Sequence, residues 1–371
     1  MRVVIDARLN AYRQGGIPAY TRQLLAALAQ VAPDDQFIAL QHHSQHAPLV
    51  SAPNVQRHTS YTPPHNKFEQ WSLPIELLPT RADVIHAPDF IAPLRRACPA
   101  VVTVHDLAFL HYPEILDADA QAFYGQLPRN IQRADAIITV SEHTRRDIVE
   151  RLQIAPERID LVYEAAAPFF APISVSPGET RQVNEHLLVA GSFVLFVSTI
   201  EPRKNLPTLF AALRRCIDLR PDAGYRLVVA GHRGWRDGPI FQAVRDLDLG
   251  EYVDFVGGVS NQDLRWLYNA CRLYVNPSLY EGFGLPLLEA LTCGVACLAA
   301  DSSSLPEIGG NAARFVPALD VAAWSDAIAN LWDDDEQRAH LGRLGFARAA
   351  QFSWPRAARE TLAIYRRLAR K

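Results

Sequence analysis

The sequence predicts an α/β protein made of two doubly wound domains, each built on a parallel sheet. The first observation is length: 371 residues, 49% of them hydrophobic, exceed what one ordinary core needs. The second is that short β-branched runs alternate with helical patterns, as in parallel sheets that are covered on both faces. The third is that these runs fall into two sets of six. These three observations together predict two similar domains.

The twelve predicted strands are short and mostly apolar. In the first half they are 2–7, 37–42, 83–87, 100–106, 136–142 and 159–164; in the second half they are 192–198, 226–232, 252–258, 272–278, 295–300 and 313–317. We therefore predict an N-terminal domain over 1–168 and a C-terminal domain over 191–351.

Two further segments complete the predicted organisation. Residues 169–190 show no strand pattern and are interpreted as the connection between the domains. Residues 352–371 predict a terminal helix with Ser353 as N-cap and Pro355 in the first turn. Its apolar stripe must be buried, and we expect the helix to pack back across the domains.

Composition narrows the class of protein. A formal net charge of −3 gives no basic field for nucleic acid. The longest apolar run, 187–200, is shorter than the about 20 residues of a membrane span. The start of the chain lacks the pattern of a signal peptide, and five cysteines without paired spacing indicate reduced thiols, so a cytoplasmic location is expected. Basic clusters such as Arg145-Arg146 and the terminal "YRRLARK" are explained by solvated helix faces or by weak attraction to a membrane surface.

Ligands of open α/β sheets bind beyond the carboxyl ends of the strands, so the residues that follow each predicted strand are the candidates. After the first strand, Gly15-Gly16 precede a helix expected to begin near Pro18; the pair suits either an anion site or a plain tight turn. His105 ends the strand 100–106 and is either a site residue or a histidine satisfied in the core. The histidines of "QHHSQH" (41–46) lack matching cysteines and carboxylates, so no metal site is predicted.

The strand 192–198 is followed by adjacent cations, Arg203 and Lys204. Fixed cations at a strand-to-helix turn suit a diphosphate, because arginine binds it bidentately and lysine adds a compact charge. A solvated charged loop is the alternative.

The stretch "YEGFGLPLLEAL" (280–291) combines a glycine turn with two carboxylates. Helix N-terminal N–H groups in the turn bind anions, whereas carboxylates accept hydrogen bonds from hydroxyls. A phosphate between two polyhydroxylated units, as in a nucleotide sugar, fits this order. The turn residues are Gly282, Phe283, Gly284 and Leu285, and the carboxylates are Glu281 and Glu289.

Several motifs together resemble the retaining glycosyltransferases of family 4 (group 1), in particular bacterial mannosyltransferase-like members. They are "GGIPAYTRQL", "TVHDLAF", "VSEHTRRDI", "TIEPRKNL", "AGHRGW", "YEGFGLPLLEALTCG" and "SSSLPEIGG". They run in the family's order from residue 15 to about residue 355. The resemblance implies a GT-B fold, in which two Rossmann-like domains face each other across a cleft.

The resemblance also implies roles for single residues. Arg203 and Lys204 should bind the donor diphosphate, and Glu281 should meet the transferred sugar near its 3-hydroxyl. Glu289 should bind the ribose, and His105 should contact the sugar from the opposite domain. The remaining donor-binding positions that it implies are Gly15, Gly16, Thr199, Val256, Gly257 and the turn Gly282, Phe283, Gly284 and Leu285. Ser198-Thr199 replaces the Gly-Arg of many members, so one phosphate-binding arginine is absent.

The implied reaction is metal-independent transfer of a hexose, with mannose from GDP-mannose expected, and without a cofactor. The Asp-x-Asp strings at 117–119, 246–248 and 333–335 lie away from strand ends, which argues against a metal site. The expected acceptor is a glycan or lipid-linked oligosaccharide, held by 65–74 and 86–94, with peripheral contact at the inner face of the membrane. The alternatives are a UDP- or ADP-sugar-dependent transferase, a GT-B epimerase, hydrolase or phosphorylase, and a non-catalytic binding module. The sequence predicts no oligomeric state.

Overall fold

The computed structural model describes residues 1–12, 15–66, 68–113 and 124–370. They form two compact units, one of 1–165 with 352–371 and the other of 166–351. Each unit contains one parallel sheet, and the second also contains a small antiparallel hairpin. The predicted α/β class with two doubly wound parallel sheets is confirmed.

The sheet of the first unit has seven strands in the order β3-β2-β1-β4-β5-β6-β7. Its strands are β1 Arg2–Asp6, β2 Gln36–His42, β3 Val55–Ser60, β4 Val84–Ala87, β5 Ala100–Val104, β6 Ala136–Thr139 and β7 Ile159–Leu161. The helices described in this unit are α1 Gly16–Val31, α2 Glu69–Leu77, α3 Ala108–His111, α4 Leu127–Arg133, α5 Glu142–Leu152 and the terminal Trp354–Ala369, with 3-10 turns at Arg8–Ala11, Leu78–Thr80 and Pro156–Arg158.

The sheet of the second unit has six strands in the order β12-β11-β10-β13-β14-β15. The strands of this unit are β8 Thr180–Val183, β9 His186–Val189, β10 Val194–Val197, β11 Leu227–Ala230, β12 Val253–Gly257, β13 Leu273–Asn276, β14 Cys297–Ala300 and β15 Ala313–Val316. Its helices are α6 Leu206–Leu219, α7 Gly238–Asp246, α8 Asn261–Ala270, α9 Leu285–Thr292, α10 Leu305–Gly309, α11 Val321–Asp333 and α12 Asp335–Ala349, with 3-10 turns at Pro202–Lys204 and Pro221–Ala223. The terminal helix Trp354–Ala369 is therefore α13.

All twelve predicted strands are present, within about two residues at most ends, because their buried apolar runs leave little ambiguity. One strand of the large sheets was missed. β3 is an edge strand of sequence VQRHTS, and only Ser60 is buried. An edge strand that faces solvent does not need the apolar pattern on which the prediction depended.

The predicted connection 169–190 belongs to the second unit and contains the hairpin β8-β9. Its strands are joined by Asn184 and Glu185, and Asn184 has a left-handed φ of 49°. Asparagine tolerates this conformation, and two-residue hairpin turns require it. The polar strand TRQV hid this hairpin in the sequence.

The terminal helix α13 packs on the first unit, where it contacts α1 more than any other helix. Ser353 caps it by accepting a hydrogen bond from the Arg356 N–H, as predicted. Trp354, Leu362 and Tyr365 enter the same buried cluster as Tyr20 of α1. Each such buried side chain stabilises the unit by about 1.5–3 kcal/mol, so α13 is part of this unit's core.

Strand order determines which loops meet in the second unit. β10 pairs in parallel with β13, and β13 pairs with β14. The chain leaves these strands at the same edge of the sheet. The loops after them, 198–205, 277–284 and 301–304, are therefore neighbours, although they are far apart in sequence.

Two further predictions can be compared with the structure. The five cysteines are all free, four of them buried and Cys98 half-buried. Within the described residues, no helix is both long enough and apolar enough to cross a bilayer.

Candidate active site

Two cations and a carboxylate meet where β10 and β13 end. The Lys204 Nζ lies 2.7 Å from the Glu281 Oε1, and Arg203 Nη1 lies 3.5 Å from Glu281 Oε2. Lys204 and Glu281 are buried, with Arg203 more accessible beside them. The sequence therefore predicted the members of this cluster, and the structure shows that they contact one another.

The cluster is tied to the backbone of both loops. The Arg203 Nη1 donates to the Tyr280 carbonyl at 2.7 Å, and the Leu279 N–H donates to the Arg203 carbonyl at 2.9 Å. Asn205, in a left-handed conformation, donates through Nδ2 to the carbonyls of Pro277 and Ala318. These bonds fix the two cationic side chains relative to the glycine turn.

A second carboxylate orients Arg203 from its other side. Glu201 Oε1 accepts from Arg203 Nη2 at 2.7 Å, and Glu201 Oε2 accepts from the indole Nε1 of Trp235 at 2.9 Å. Trp235 thus fixes the Glu201 carboxylate, and Glu201 in turn orients Arg203. Neither residue was given a role from the sequence, although both lie in the motifs "TIEPRKN" and "AGHRGW".

The charges of the cluster depend on one another. Burial opposes ionisation of Glu281, but the positive charges of Lys204 and Arg203 outweigh it, and the pKa of Glu281 lies below its ordinary value. Burial and the neighbouring Arg203 lower the pKa of Lys204, against the opposing effect of Glu281 and Glu201. A buried charge without its partner costs several kcal/mol, so each group helps to keep the other ionised.

The glycine turn that follows Glu281 leads into α9. Gly284, the N-cap, has a φ of 98°, which suits glycine, and the helix begins at Leu285, one residue before Pro286. The N–H groups of a helix's first turn have no carbonyl partner within the helix, and the helix dipole favours an anion there. The turn therefore presents polarised donors at the same edge of the sheet as Arg203 and Lys204.

Serines from the loop after β14 hold this turn in place. The Glu281 N–H donates to Ser303 Oγ at 2.8 Å. Ser304 Oγ lies 2.9 Å from the carbonyl oxygens of both Glu281 and Phe283, which share its single proton. Ser278 Oγ also donates to Glu281 Oε1. These serines were quoted in the motif "SSSLPEIGG" or the strand 272–278, but their role in supporting the turn was not predicted.

Glu289 lies on α9, separate from the cation cluster. Its Oε2 accepts a hydrogen bond from the buried Tyr268 hydroxyl at 2.8 Å. Burial raises the pKa of Glu289 to about 7, although the Tyr268 bond opposes the shift. A carboxyl group poised near neutrality can both donate and accept hydrogen bonds, which suits a pair of hydroxyls.

The raised pKa of Glu289 predicts a specific dependence of stability on pH. The folded chain holds a proton on this group between pH 4.5 and about 7, where the unfolded chain has lost it. Protonated Glu289 therefore makes its full contribution to the free energy of unfolding below pH 4.5, and this contribution is lost as the pH rises through about 7. In urea unfolding at several pH values, Glu289→Gln should reduce this loss, which would be of order 1–3 kcal/mol. An unchanged pH profile in the variant would contradict the assignment.

Two glycines bring β11 close to the loop after β10. A Cβ on Gly231, whose φ is 150°, would lie 1.8 Å from the Ser198 carbonyl oxygen. A Cβ on Gly234 would lie 2.8 Å from the Ile200 carbonyl oxygen. No larger residue fits at either position unless the backbone moves, so both glycines of "AGHRGW" set the path of the loop that carries Arg203.

The other predicted donor-binding positions of this unit lie on nearby strand ends. Val256 is buried at the end of β12, and its carbonyl accepts from Asn184 Nδ2. Gly257 has a φ of 69°, and its carbonyl accepts from the Gly231 N–H at 2.8 Å. Thr199 is exposed in the loop after β10.

His105 lies in the first unit, at the carboxyl end of β5. Its Nδ1 donates to Glu164 Oε1 at 2.7 Å, and its Nε2 donates to the Pro88 carbonyl at 2.8 Å. Burial lowers the pKa of His105, but Glu164 and the Pro88 carbonyl raise it by more, so that it lies above the ordinary value. Since both nitrogens face acceptors, the surroundings favour the protonated form of the imidazole. Glu164 is a partner that sequence patterns did not indicate.

Gly15 is the N-cap of α1 in the same unit, and Gly16 is the first residue of that helix. The helix begins at Gly16, two residues before the predicted start, and Gly15 has a φ of 132°. A Cβ at Gly16 would meet no atom of the described chain within 4 Å, and its φ does not demand glycine. The fold alone therefore does not explain Gly16.

No group of three or more histidine, cysteine, aspartate or glutamate side chains with metal-binding geometry occurs in the described part of the chain. Asp333 pairs with Arg220, and Asp335 pairs with Arg272. The string Asp117-Ala-Asp119 lies outside the described residues.

Two Rossmann-like parallel-sheet units, with a cation pair and a glycine turn at the strand ends of the second, are the elements of a GT-B fold. The model of Glycosyltransferase Family 4 matches residues 14–166, and that of Glycosyl transferases group 1 matches residues 181–348. The chain belongs to this family, which confirms the resemblance seen in its motifs.

The chain is similar to proteins that are named as mannosyltransferases. The chain is 33% identical to the O-antigen chain mannosyltransferase B of Escherichia coli, over 77% of this chain and 74% of that protein. It is 32% identical to the serotype-specific mannosyltransferase WbdA of Escherichia coli, over 72% of this chain and 33% of that protein. A sucrose-phosphate synthase structure from Thermosynechococcus elongatus matches with a TM-score of 0.78 and 22% identity, over 99% and 98% of the two chains, and shares the fold.

Proposed function

We propose that the protein is a retaining hexosyltransferase that moves mannose from GDP-mannose to a glycan or lipid-linked acceptor in the synthesis of a cell-surface polysaccharide. The contact of Arg203 and Lys204 with Glu281, beside the N-terminus of α9, carries this proposal. The choice of mannose is supported by the relatives that are named as mannosyltransferases.

The cluster suits a donor in which a diphosphate separates two sugars. Arg203 and Lys204 bind the diphosphate together with the N–H groups that begin α9, and Glu289 binds the ribose hydroxyls. Glu281, freed from part of its pairing with Lys204, accepts a hydrogen bond from the transferred sugar. Thr199, Val256 and Gly257 line the remainder of the donor pocket.

The proposed chemistry is metal-independent. The bond between the anomeric carbon and the phosphate oxygen breaks, and its electron pair stays on the departing diphosphate. Arg203 and Lys204 stabilise that growing charge, which is the largest contribution that preorganised groups make to such reactions. The acceptor oxygen bonds to the same face of the anomeric carbon, and its proton passes to the leaving phosphate oxygen, so retention needs no nucleophilic carboxylate.

A panel of donors tests this proposal. GDP-mannose, UDP-glucose and ADP-glucose are incubated with the protein and a lipid-linked glycan fraction, and the released nucleoside diphosphate is measured. We expect release from GDP-mannose. Release from a UDP- or ADP-sugar alone would contradict GDP-mannose as the donor but would still agree with a sugar transferase. Formation of an isomerised nucleotide sugar would identify an epimerase instead.

His105 is proposed to contact the transferred sugar rather than the nucleotide, with one of its ring N–H groups leaving its present acceptor, Glu164 or the Pro88 carbonyl, to do so. His105→Ala should lower turnover while leaving the affinity for GDP within a few fold, as measured by steady-state kinetics and calorimetry. His105→Gln, which keeps a hydrogen-bond donor without the charge, should retain more activity than the alanine variant. A large loss of GDP affinity would mean instead that His105 helps to hold the diphosphate.

A further inference from the structure

Four aromatic side chains lie side by side at the edge of the first sheet where β1, β2 and β3 end. The centre of the Tyr12 ring lies 4.9 Å from that of His42, which lies 4.2 Å from that of His43. The His43 ring in turn stacks on Tyr61, with 5.3 Å between ring centres and 20° between ring planes. Parallel strands end at one edge of a sheet, so three loops that are separate in sequence supply these rings. We call these four residues the aromatic run.

Hydrogen bonds hold the aromatic run in place although much of it faces solvent. The Tyr12 hydroxyl lies 2.8 Å from His42 Nε2, and His42 Nδ1 lies 2.8 Å from Ser44 Oγ. The Tyr61 backbone N–H donates to the Glu76 carboxylate at 3.2 Å. Tyr12 and Tyr61 are nevertheless 50% and 70% exposed. Rings that are held in one position but left in contact with water offer a surface that a ligand covers at little cost in ordering.

The aromatic run carries no fixed charge. Burial lowers the pKa of His42, and His43 and Arg8 lower it further against the opposing effect of Glu76, so the neutral imidazole is favoured at pH 7. The two charged neighbours of His42 are engaged within the fold: Arg8 pairs with Glu69, and Glu76 accepts from the backbone N–H groups of residues 61 and 62. The aromatic run therefore presents ring faces and hydroxyl groups, which suit a neutral, hydroxylated ligand.

The sheet order indicates how far such a ligand lies from the proposed reaction. His105, which is proposed to contact the transferred sugar, follows β5 at the same edge. In the order β3-β2-β1-β4-β5, the end of β5 is three strand spacings from that of β2 and four from that of β3, about 14 Å and about 19 Å. Because a hexose unit is about as long as one strand spacing, a glycan along this edge meets the aromatic run about three or four sugars from the one at His105.

We propose that the aromatic run is a distal glycan subsite, which binds sugars of the acceptor chain behind its reacting end. One face of a pyranose ring carries C–H groups, and these pack on the electron-rich face of an aromatic ring while the hydroxyls stay in water. The inference rests on the proposed function, because it needs a glycan acceptor. It adds that the acceptor is an oligosaccharide recognised over several units, since a single sugar on a lipid does not reach from His105 to Tyr61.

Binding of a length series of glycans tests the proposal. Glycans are released by mild acid from the lipid-linked fraction and separated by size, and their affinity for the full chain is measured by calorimetry without nucleotide. Affinity should rise about tenfold or more between chains of two and of six sugars, because each ring contributes about two- to tenfold. His43→Ala with Tyr61→Ala should remove most of this rise and spare the affinity for two sugars. Tyr61→Phe, which keeps the ring face, should preserve the rise.

Phe346→Ala is the matched control, because Phe346 is 53% exposed on α12 of the second unit. It should leave the dependence on glycan length unchanged. An affinity that does not depend on length in the unmodified protein would overturn the proposal, and so would an equal loss at all lengths in the variant of His43 and Tyr61. A dimer in light scattering that this variant dissociates would also overturn it, because the aromatic run would then be a contact between two copies.

These binding measurements contain no donor, so their failure is distinct from a failure of sugar transfer. In transfer assays, His43→Ala with Tyr61→Ala should raise the KM for six-sugar acceptors about tenfold and leave kcat within about twofold, since the distal sugars are held equally in the ground and transition states. Unchanged KM for the long acceptors would contradict the subsite, whereas a variant that had merely lost structure would lose kcat as well.

Discussion

Lys204→Ala should weaken the binding of nucleoside diphosphate roughly 10–100-fold and nearly abolish sugar transfer. Lys204 supplies a compact charge to the diphosphate, and a charge-assisted hydrogen bond contributes about 1.5–3 kcal/mol. Transfer should suffer more than binding, because the charge on the departing phosphate is greatest in the transition state. Calorimetry with GDP and initial rates with GDP-mannose measure the two effects.

The same substitution leaves Glu281 buried without its closest partner, 2.7 Å away. Breaking a buried ion pair on one side costs about 3–5 kcal/mol, so part of the loss could reflect instability. The double variant Lys204→Met with Glu281→Gln removes both charges and should recover stability without recovering transfer. Arg220→Ala, which breaks an exposed pair with Asp333, should change neither stability nor affinity by much. Normal turnover in Lys204→Ala would refute the phosphate role.

Gly231→Ala should destabilise the second unit by more than about 3 kcal/mol. The added Cβ would lie 1.8 Å from the Ser198 carbonyl oxygen and 2.6 Å from its carbon, and the φ of 150° is itself unfavourable for alanine. The backbone of β10 or β11 must therefore shift, and the loop that carries Arg203 shifts with it. Urea unfolding and GDP calorimetry should show both losses.

Gly250→Ala is the matched control for this substitution. A Cβ at Gly250 would meet no atom of the described chain within 4 Å, and its backbone needs no positive φ. It should alter the free energy of unfolding by no more than about 0.5 kcal/mol. Equal stability of the two variants would show that Gly231 does not constrain the loop after β10.

The large sheets were predictable because their strands are buried on both faces. In β5, Val101, Val102 and Val104 are buried, and the polar Thr103 is the one interruption of the apolar run that predicted the strand. β3 and the hairpin β8-β9 were not predicted, because the edge strand β3 and the first hairpin strand β8 are polar. Asn184, in the turn between β8 and β9, was the one local signal of the hairpin.

Residues of the candidate site were predictable where a motif places them directly after a strand, as with Arg203, Lys204 and Glu281. Their mutual contacts were not, because Lys204 and Glu281 are 77 residues apart and meet only through the pairing of β10 with β13. The supporting residues Trp235 and Glu164 could not be predicted for the same reason, because they hydrogen-bond to Glu201 and His105, which lie far from them in sequence. A sequence pattern identifies which side chains bear charge, whereas the sheet order decides which charges meet.

Titration of the protein with GDP, UDP and ADP in a calorimeter tests the central claim most directly. GDP should bind to the unmodified protein and more weakly to Lys204→Ala and Gly231→Ala, whereas His105→Ala should bind it within a few fold of the unmodified protein. If none of the three nucleotides binds to the folded protein, the Arg203–Lys204–Glu281 cluster is not a donor diphosphate site.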